Sequence, residues 1–208
     1  MYTLFGYKGS GSAAIECALE VARVPYEVVT AASWDATSSV DALSQANPLR
    51  QVPTLVLPDG TVLSESAAIL IHLGLQFPKA ALLPRAAARR ATAIRGLVFI
   101  AANCYAAISV IDFPERWLAD PSDEAQDNLK SGSRARLHAN WEILADSLPR
   151  GLYLCDEHPG ALDLLAAVVS RWSGARQHLE KTRPAIAETL GRIDNDERFR
   201  PAFSRHWA

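Results

Sequence analysis

Cysteine is scarce. Cys17, Cys104 and Cys155 are far apart and odd in number, and they form neither a Cys-x-x-Cys pair nor a zinc-ligand spacing. A disulfide scaffold and a metal centre are therefore not expected, and each cysteine reads as a small apolar core residue. Basic runs are missing too. With 21 Lys and Arg against 23 Asp and Glu, the net charge is −2. No five or six basic residues stand together, so nucleic acid is not an expected partner. Arg85, Arg89, Arg90 and Arg95 are read as the solvated face of one helix. Long apolar runs are absent as well. Leu164 to Val169 is far too short to cross a bilayer, and no membrane association is expected. The opening MYTLFGYKGSGSAAI has no basic prefix followed by a long apolar stretch, so it does not read as a secretory signal. A cytoplasmic protein is the expectation. What the chain does have is 49% hydrophobic residues in 208, enough for a sizeable core in one large or two small domains.

The order of elements is informative. Tyr2 to Phe5 reads as a strand, and Gly6 to Ser12 as a Gly/Ser loop. Ala14, Ile15, Ala18, Leu19 and Ala22 recur at helical spacing, which predicts an amphipathic helix over Ser12 to Ala22. Pro25 ends it, and Tyr26 to Thr30 reads as a second strand. A short helix is placed over Asp41 to Ser44. Thr54 to Leu57 and Thr61 to Leu63 form a hairpin around Pro58-Asp59-Gly60, where proline presets φ and glycine accepts a positive value. Ser64 is then the expected cap of a helix running to about Leu75. Beyond Pro78 the pattern becomes helical: roughly 86 to 111, 123 to 147, an almost wholly apolar helix over Ala161 to Trp172, and one opening at Pro184. The reading gives an α/β amino-terminal domain, residues 1–78, and an all-α domain, residues 86–208.

Four segments carry a resemblance. Asn47-Pro48, Gln51-Val52-Pro53-Thr54, Asp59-Gly60 and Glu65-Ser66-Ala67-Ala68-Ile69 stand in the order and spacing of the glutathione site of the soluble glutathione transferases. Gly160-Ala161-Leu162-Asp163 resembles that family's cap on its buried helix, with Gly160 where Ser or Thr is usual. The resemblance covers essentially the whole chain. It implies a thioredoxin-like amino-terminal domain and a helical carboxy-terminal domain. It also implies a homodimer and a detoxifying transferase with glutathione as cosubstrate and no metal.

The resemblance further assigns roles. Val52–Pro53 would be cis, so that the Val52 backbone pairs with the cysteinyl unit like an added strand; an ordinary trans proline opening a strand is the alternative. The helix after the hairpin would hold the γ-glutamyl carboxylate on its free N–H groups and the Ser66 hydroxyl, with Glu65 accepting from the γ-glutamyl amine. Gln51, Arg50 and Trp34 are candidates for the glycyl end. The thiolate is the reactive form of glutathione. A hydroxyl could stabilise it, Ser10 first and Ser12 second. Counting back from Pro25-Tyr26, the cysteine of beta-type relatives falls on Gly11, which disfavours mixed-disulfide chemistry. The tyrosine of other classes falls near Phe5 rather than Tyr7. Tyr7, Tyr105, Ile108 and Trp117, with Lys8, are expected around a small hydrophobic electrophile. The expected reactions are conjugation or peroxide reduction. The alternative is a non-catalytic binding or interaction protein on the same fold. A thiol-disulfide oxidoreductase is argued against by the missing Cys-x-x-Cys.

Overall fold

The structure is a computed structural model that describes residues 1–149 and 151–207. Seven short elements make the sheet half. β1 (Tyr2–Gly6) leads through a Gly/Ser loop into α1 (Ser12–Ala22), and β2 (Tyr26–Thr30) follows. Arg23 in the left-handed region ends α1 ahead of Pro25. After α2 (Val40–Ala46) come β3 (Thr54–Val56), β4 (Val62–Leu63) and α3 (Ser66–Gln76). The strand order is β2-β1-β3-β4, with β1 parallel to β2 and the other two pairings antiparallel. This is the thioredoxin-like arrangement. Buried Ala13, Ala14, Ala18 and Leu19 of α1 and Ile69, Leu70 and Leu73 of α3 join Leu4 and Leu55 in one core.

The rest of the chain is mostly helical. α4 (Ala87–Phe99) runs without a break through a π turn (Ile100–Tyr105) into α5 (Ala106–Asp112). α6 (Asp123–Ser147) packs along α5. Every residue of α7 (Ala161–Val169) is buried. α8 (Ala175–Thr182), α9 (Pro184–Asp194) and α10 (Arg200–His206) complete the chain. α7 touches α1 and α3 on one side and α4 and α9 on the other, so a single core crosses from the sheet half into the helical half.

Several expectations need correction. Ser64 does not cap α3: Glu65 holds that position with φ 67°, and no side chain caps the helix. α7 stops at Val169 rather than Trp172: the Arg171 and Trp172 amides bond only three residues back, to Val168 and Val169, and Ser173 (φ 54°) and Gly174 (φ 76°) then turn the chain. Arg85 precedes α4 instead of lying on it; Arg89 and Arg95 do lie on its exposed face, where they bond to Asp156 and Ser147. Counting unbroken apolar residues also undervalued one helix. Ala87–Asp112 contains a window of mean hydropathy 1.8, long and apolar enough by length and composition to cross a membrane. Its apolarity is partly explained by packing, since Ala93, Leu97, Ile100, Cys104, Ile108 and Ile111 lie in the core.

Candidate functional site

A cleft of about 620 Å³ opens between the two halves. Its sheet-side wall begins with the turn before β3. Asn47 is buried and donates from Nδ2 to Thr54 Oγ1 (3.0 Å), while Thr54 Oγ1 donates to the Gln51 carbonyl (2.8 Å). Asn47 Oδ1 accepts from the Leu49 amide (3.1 Å). These bonds fix both ends of the turn, and Val52 sits at its end with a cis peptide bond to Pro53. Among the described residues, neither the N–H nor the C=O of Val52 has a hydrogen-bond partner within the chain. Gln51, Val52, Pro53, Glu65 and Ser66 all line the cleft. Ser66 opens α3, so the helix's free N–H groups and positive dipole end lie beside it.

The loop after β1 forms the floor. Ser10 lines the cleft; Ser12 is 1% exposed and does not. Ser12 Oγ accepts from the Tyr7 amide (3.2 Å), can donate to the Tyr7 carbonyl (3.2 Å), and lies 2.9 Å from Ser10 Oγ. Its work is to hold the loop, with Ser10 as the hydroxyl presented to the cleft. Tyr7 also reaches the cleft. Its hydroxyl donates to Asp35 (2.9 Å), a bond that raises its pKa, and its ring meets Trp34 edge-on. Arg50, in the left-handed region at φ 52°, and Lys8 stand at the rim.

A brace behind this loop was not legible in the sequence. The Gly9 amide donates to His206 Nδ1 (3.1 Å), and His206 Nε2 lies 2.8 Å from Glu16 Oε2. An imidazole that accepts at Nδ1 carries its proton at Nε2, so it donates to Glu16. Arg205 Nε adds a 2.6 Å bond to the other Glu16 oxygen and also pairs with Glu20. Burial works to raise the Glu16 pKa, but the His206 and Arg205 bonds outweigh it and the net direction is down. Helix α10 thereby clamps α1 and the glycine loop together.

The helical wall is made of side chains. Tyr105, Ile108, Ser109, Asp112, Phe113 and Trp117 face the cleft from the π turn, α5 and the segment after it. The Tyr105 ring meets Trp172 edge-on at 5.5 Å, and Arg116 lies 3.9 Å over Phe113. Burial raises the Asp112 carboxyl pKa. Burial also raises all three cysteine thiols, Cys104 and Cys155 to about 12, which keeps them protonated and unreactive. Of the residues singled out in the sequence as site candidates, all but Ser12 meet around this one cleft.

Comparison with known proteins supplies the context. Residues 12–76 match a family model described as the glutathione S-transferase N-terminal domain. The uncharacterized GST-like protein YncG of Escherichia coli K12 is 35% identical over 130 residues, 62% of this chain and 63% of that relative's length. Among solved structures, a glutathione transferase homologue from Sulfitobacter, with bound glutathione, has a TM-score of 0.85 at 24% identity. It covers 98% of this chain and 97% of its own. BphK, a bacterial GST in a ternary complex, has a TM-score of 0.79 at 25% identity, over 99% of this chain and all of its own. Residues 12–76 thus match the amino-terminal domain of glutathione S-transferases, and the chain as a whole has the fold of the solved bacterial structures.

One departure from the usual pattern of glutathione S-transferases has a steric cause. A Cβ on Gly160 would lie 2.6 Å from the Leu82 carbonyl oxygen. That oxygen instead accepts from the Ala161 amide (2.7 Å), pinning the segment between the halves to the start of α7. Asp163 keeps its share of the cap, accepting from the Gly160 and Leu154 amides at 2.9 Å each.

Proposed function

We propose that this protein binds glutathione in the cleft, stabilises its thiolate, and transfers it to a small electrophile or uses it to reduce a peroxide. The observation that carries the reading is the pair of unpartnered Val52 backbone groups beside the amino end of α3. An extended peptide satisfies both by adding a strand to that edge. Its carboxylate then reaches the Ser66 hydroxyl and the first amides of α3, where the dipole favours negative charge. Glu65 accepts from the γ-glutamyl amine, and Gln51, Arg50 or Trp34 meets the glycyl end. The thiol comes to rest over Ser10. Ser10 has a proton for sulfur only when Ser12 donates to it rather than to the Tyr7 carbonyl; that carbonyl still has the Ser10 amide as a donor (3.1 Å). Ser10 is thus the direct candidate and Ser12 its support.

Residues 1–78 act in this reading as the glutathione-binding domain. Residues 86–208 supply the electrophile wall, with Tyr105, Ile108 and Trp117, joined by Tyr7 from the sheet half. A cytoplasmic homodimer is the assembly that goes with it. Isothermal calorimetry tests the binding step. Glutathione should bind the wild type, and Ser66→Ala should weaken it about 10- to 100-fold, the cost of a hydrogen bond to a charged group. Equal affinity in both proteins would remove Ser66 from the site.

A second reading has one observation in its favour: Gly11 offers no side chain where beta-type relatives carry a reactive cysteine. A non-catalytic binder on the same fold would tolerate that. Glutathione uptake without turnover across a panel of electrophiles and peroxides would select it.

A further inference from the structure

The space above Gly11 is filled from the other half of the molecule. A Cβ built on Gly11 would lie 2.5 Å from the Tyr105 hydroxyl oxygen and 3.2 Å from its ring. Among the described residues other than its chain neighbours, the three atoms nearest that point all belong to Tyr105. We infer that the Tyr105 hydroxyl takes the place of the side chain Gly11 lacks and donates a hydrogen bond to the sulfur of bound glutathione. The inference rests on the glutathione-binding reading and goes beyond it, because the activating group then comes from the helical half.

Three observations converge. The first is position. Tyr105 lines the same cleft as Ser10, Val52 and Pro53, at the entry to α1. It closes a π turn inside an otherwise α-helical run (Ile100–Tyr105), a rare distortion frequently found at functional sites.

The second is the proton inventory. Ser10 and Ser12 share two hydroxyl protons among each other and the Tyr7 carbonyl, and Ser10 Oγ also faces the Ser12 amide. The Tyr105 hydroxyl has no acceptor among the described residues. The polar group facing it is the Gly11 amide, a donor, so its own proton remains uncommitted.

The third is protonation. Burial pushes the Tyr105 phenol up to about 12 against the pull of the Gly11 amide, so it keeps its proton at neutral pH. It acts as a hydrogen-bond donor, and the thiol's proton departs to solvent. No bond to Tyr105 is made or broken.

Titration of bound glutathione by its thiolate ultraviolet absorbance tests this in the full-length protein. Tyr105→Phe keeps the ring against Trp172 and removes only the hydroxyl. The thiol's titration midpoint should rise by about one to two pH units, the span of one hydrogen bond to a charged acceptor. Glutathione affinity at a pH where the thiol is protonated should stay within about threefold. Gly11→Ala, whose methyl displaces the phenol, should raise the midpoint in the same direction without touching residue 105. If glutathione binds both variants with the wild-type midpoint, the inference is overturned while the binding reading survives. If the wild type takes up no glutathione, both fall together.

Discussion

The two walls of the cleft are made of different material. The sheet-side wall, besides side chains such as Tyr7 and Gln51, offers free backbone groups: the Val52 amide and carbonyl and the first N–H groups of α3, beside the short side chain of Ser66. The helical wall is largely side chain: Tyr105 in the π turn, Phe113 and Trp117 just after α5, and Trp172 in the turn after α7. Backbone contacts depend on the shape of a turn, and here Asn47 and Thr54 hold that shape from beneath. They suit a ligand that never varies. Side-chain contacts can be exchanged one at a time without reshaping the backbone that carries them.

The sharpest way to break this division is at the joint between the walls. His206 comes from the end of the chain yet holds the Gly9 amide and Glu16. His206→Ala leaves Glu16 buried with Arg205 as its remaining strong partner, and should cost about 2–4 kcal/mol in urea unfolding. The same variant should slow conjugation by loosening the loop that carries Ser10. A loss of stability with turnover unchanged would show that the brace does not serve the cleft.

A smaller effect lies in the cap beneath α7. Burial pushes the Asp163 carboxyl up to about 6, against its two amide donors, from a reference of 3.8. Between those values the folded protein holds more protons than the unfolded chain. Asp163 therefore makes stability fall as pH rises from about 4 to about 6, by about 1–3 kcal/mol, with no further change above. Chemical unfolding of Asp163→Asn across that range should lose this slope. An unchanged slope would mean that another group carries it.

The smallest effect sharpens the comparison. Trp117 is 59% exposed at the cleft rim. Trp117→Ala should raise KM for a hydrophobic electrophile about threefold to tenfold and leave glutathione affinity within about twofold. Parallel losses for both ligands would mean that the walls are not separate.

Much of the sheet half was legible because its signals are local. Pro25 stops a helix, Asp59-Gly60 makes a turn, and alternation or helical spacing fills the segments between. α1, β2 and α6 have the expected bounds for that reason. Glu65 was not legible as the N-cap. It stands at φ 67°, a value uncommon for a residue with a side chain, and the local pattern points instead to Ser64. α8 and α10 were missed because each is short and has few apolar positions. α8 buries only Ala175 and Leu179, and α10 owes its place to His206 and Arg205 reaching across the fold. Tyr105 carried the signal of an ordinary apolar helix face. Its closeness to Gly11 depends on how the helical half packs on the sheet half, which no spacing within either segment records.

Diffraction from crystals grown with glutathione tests the central claim most directly. The account predicts the cysteinyl N–H and C=O paired with the Val52 backbone, and the γ-glutamyl carboxylate within hydrogen-bond distance of Ser66 Oγ. A tripeptide bound elsewhere, or lying in the cleft with the Val52 amide left to solvent, would contradict it.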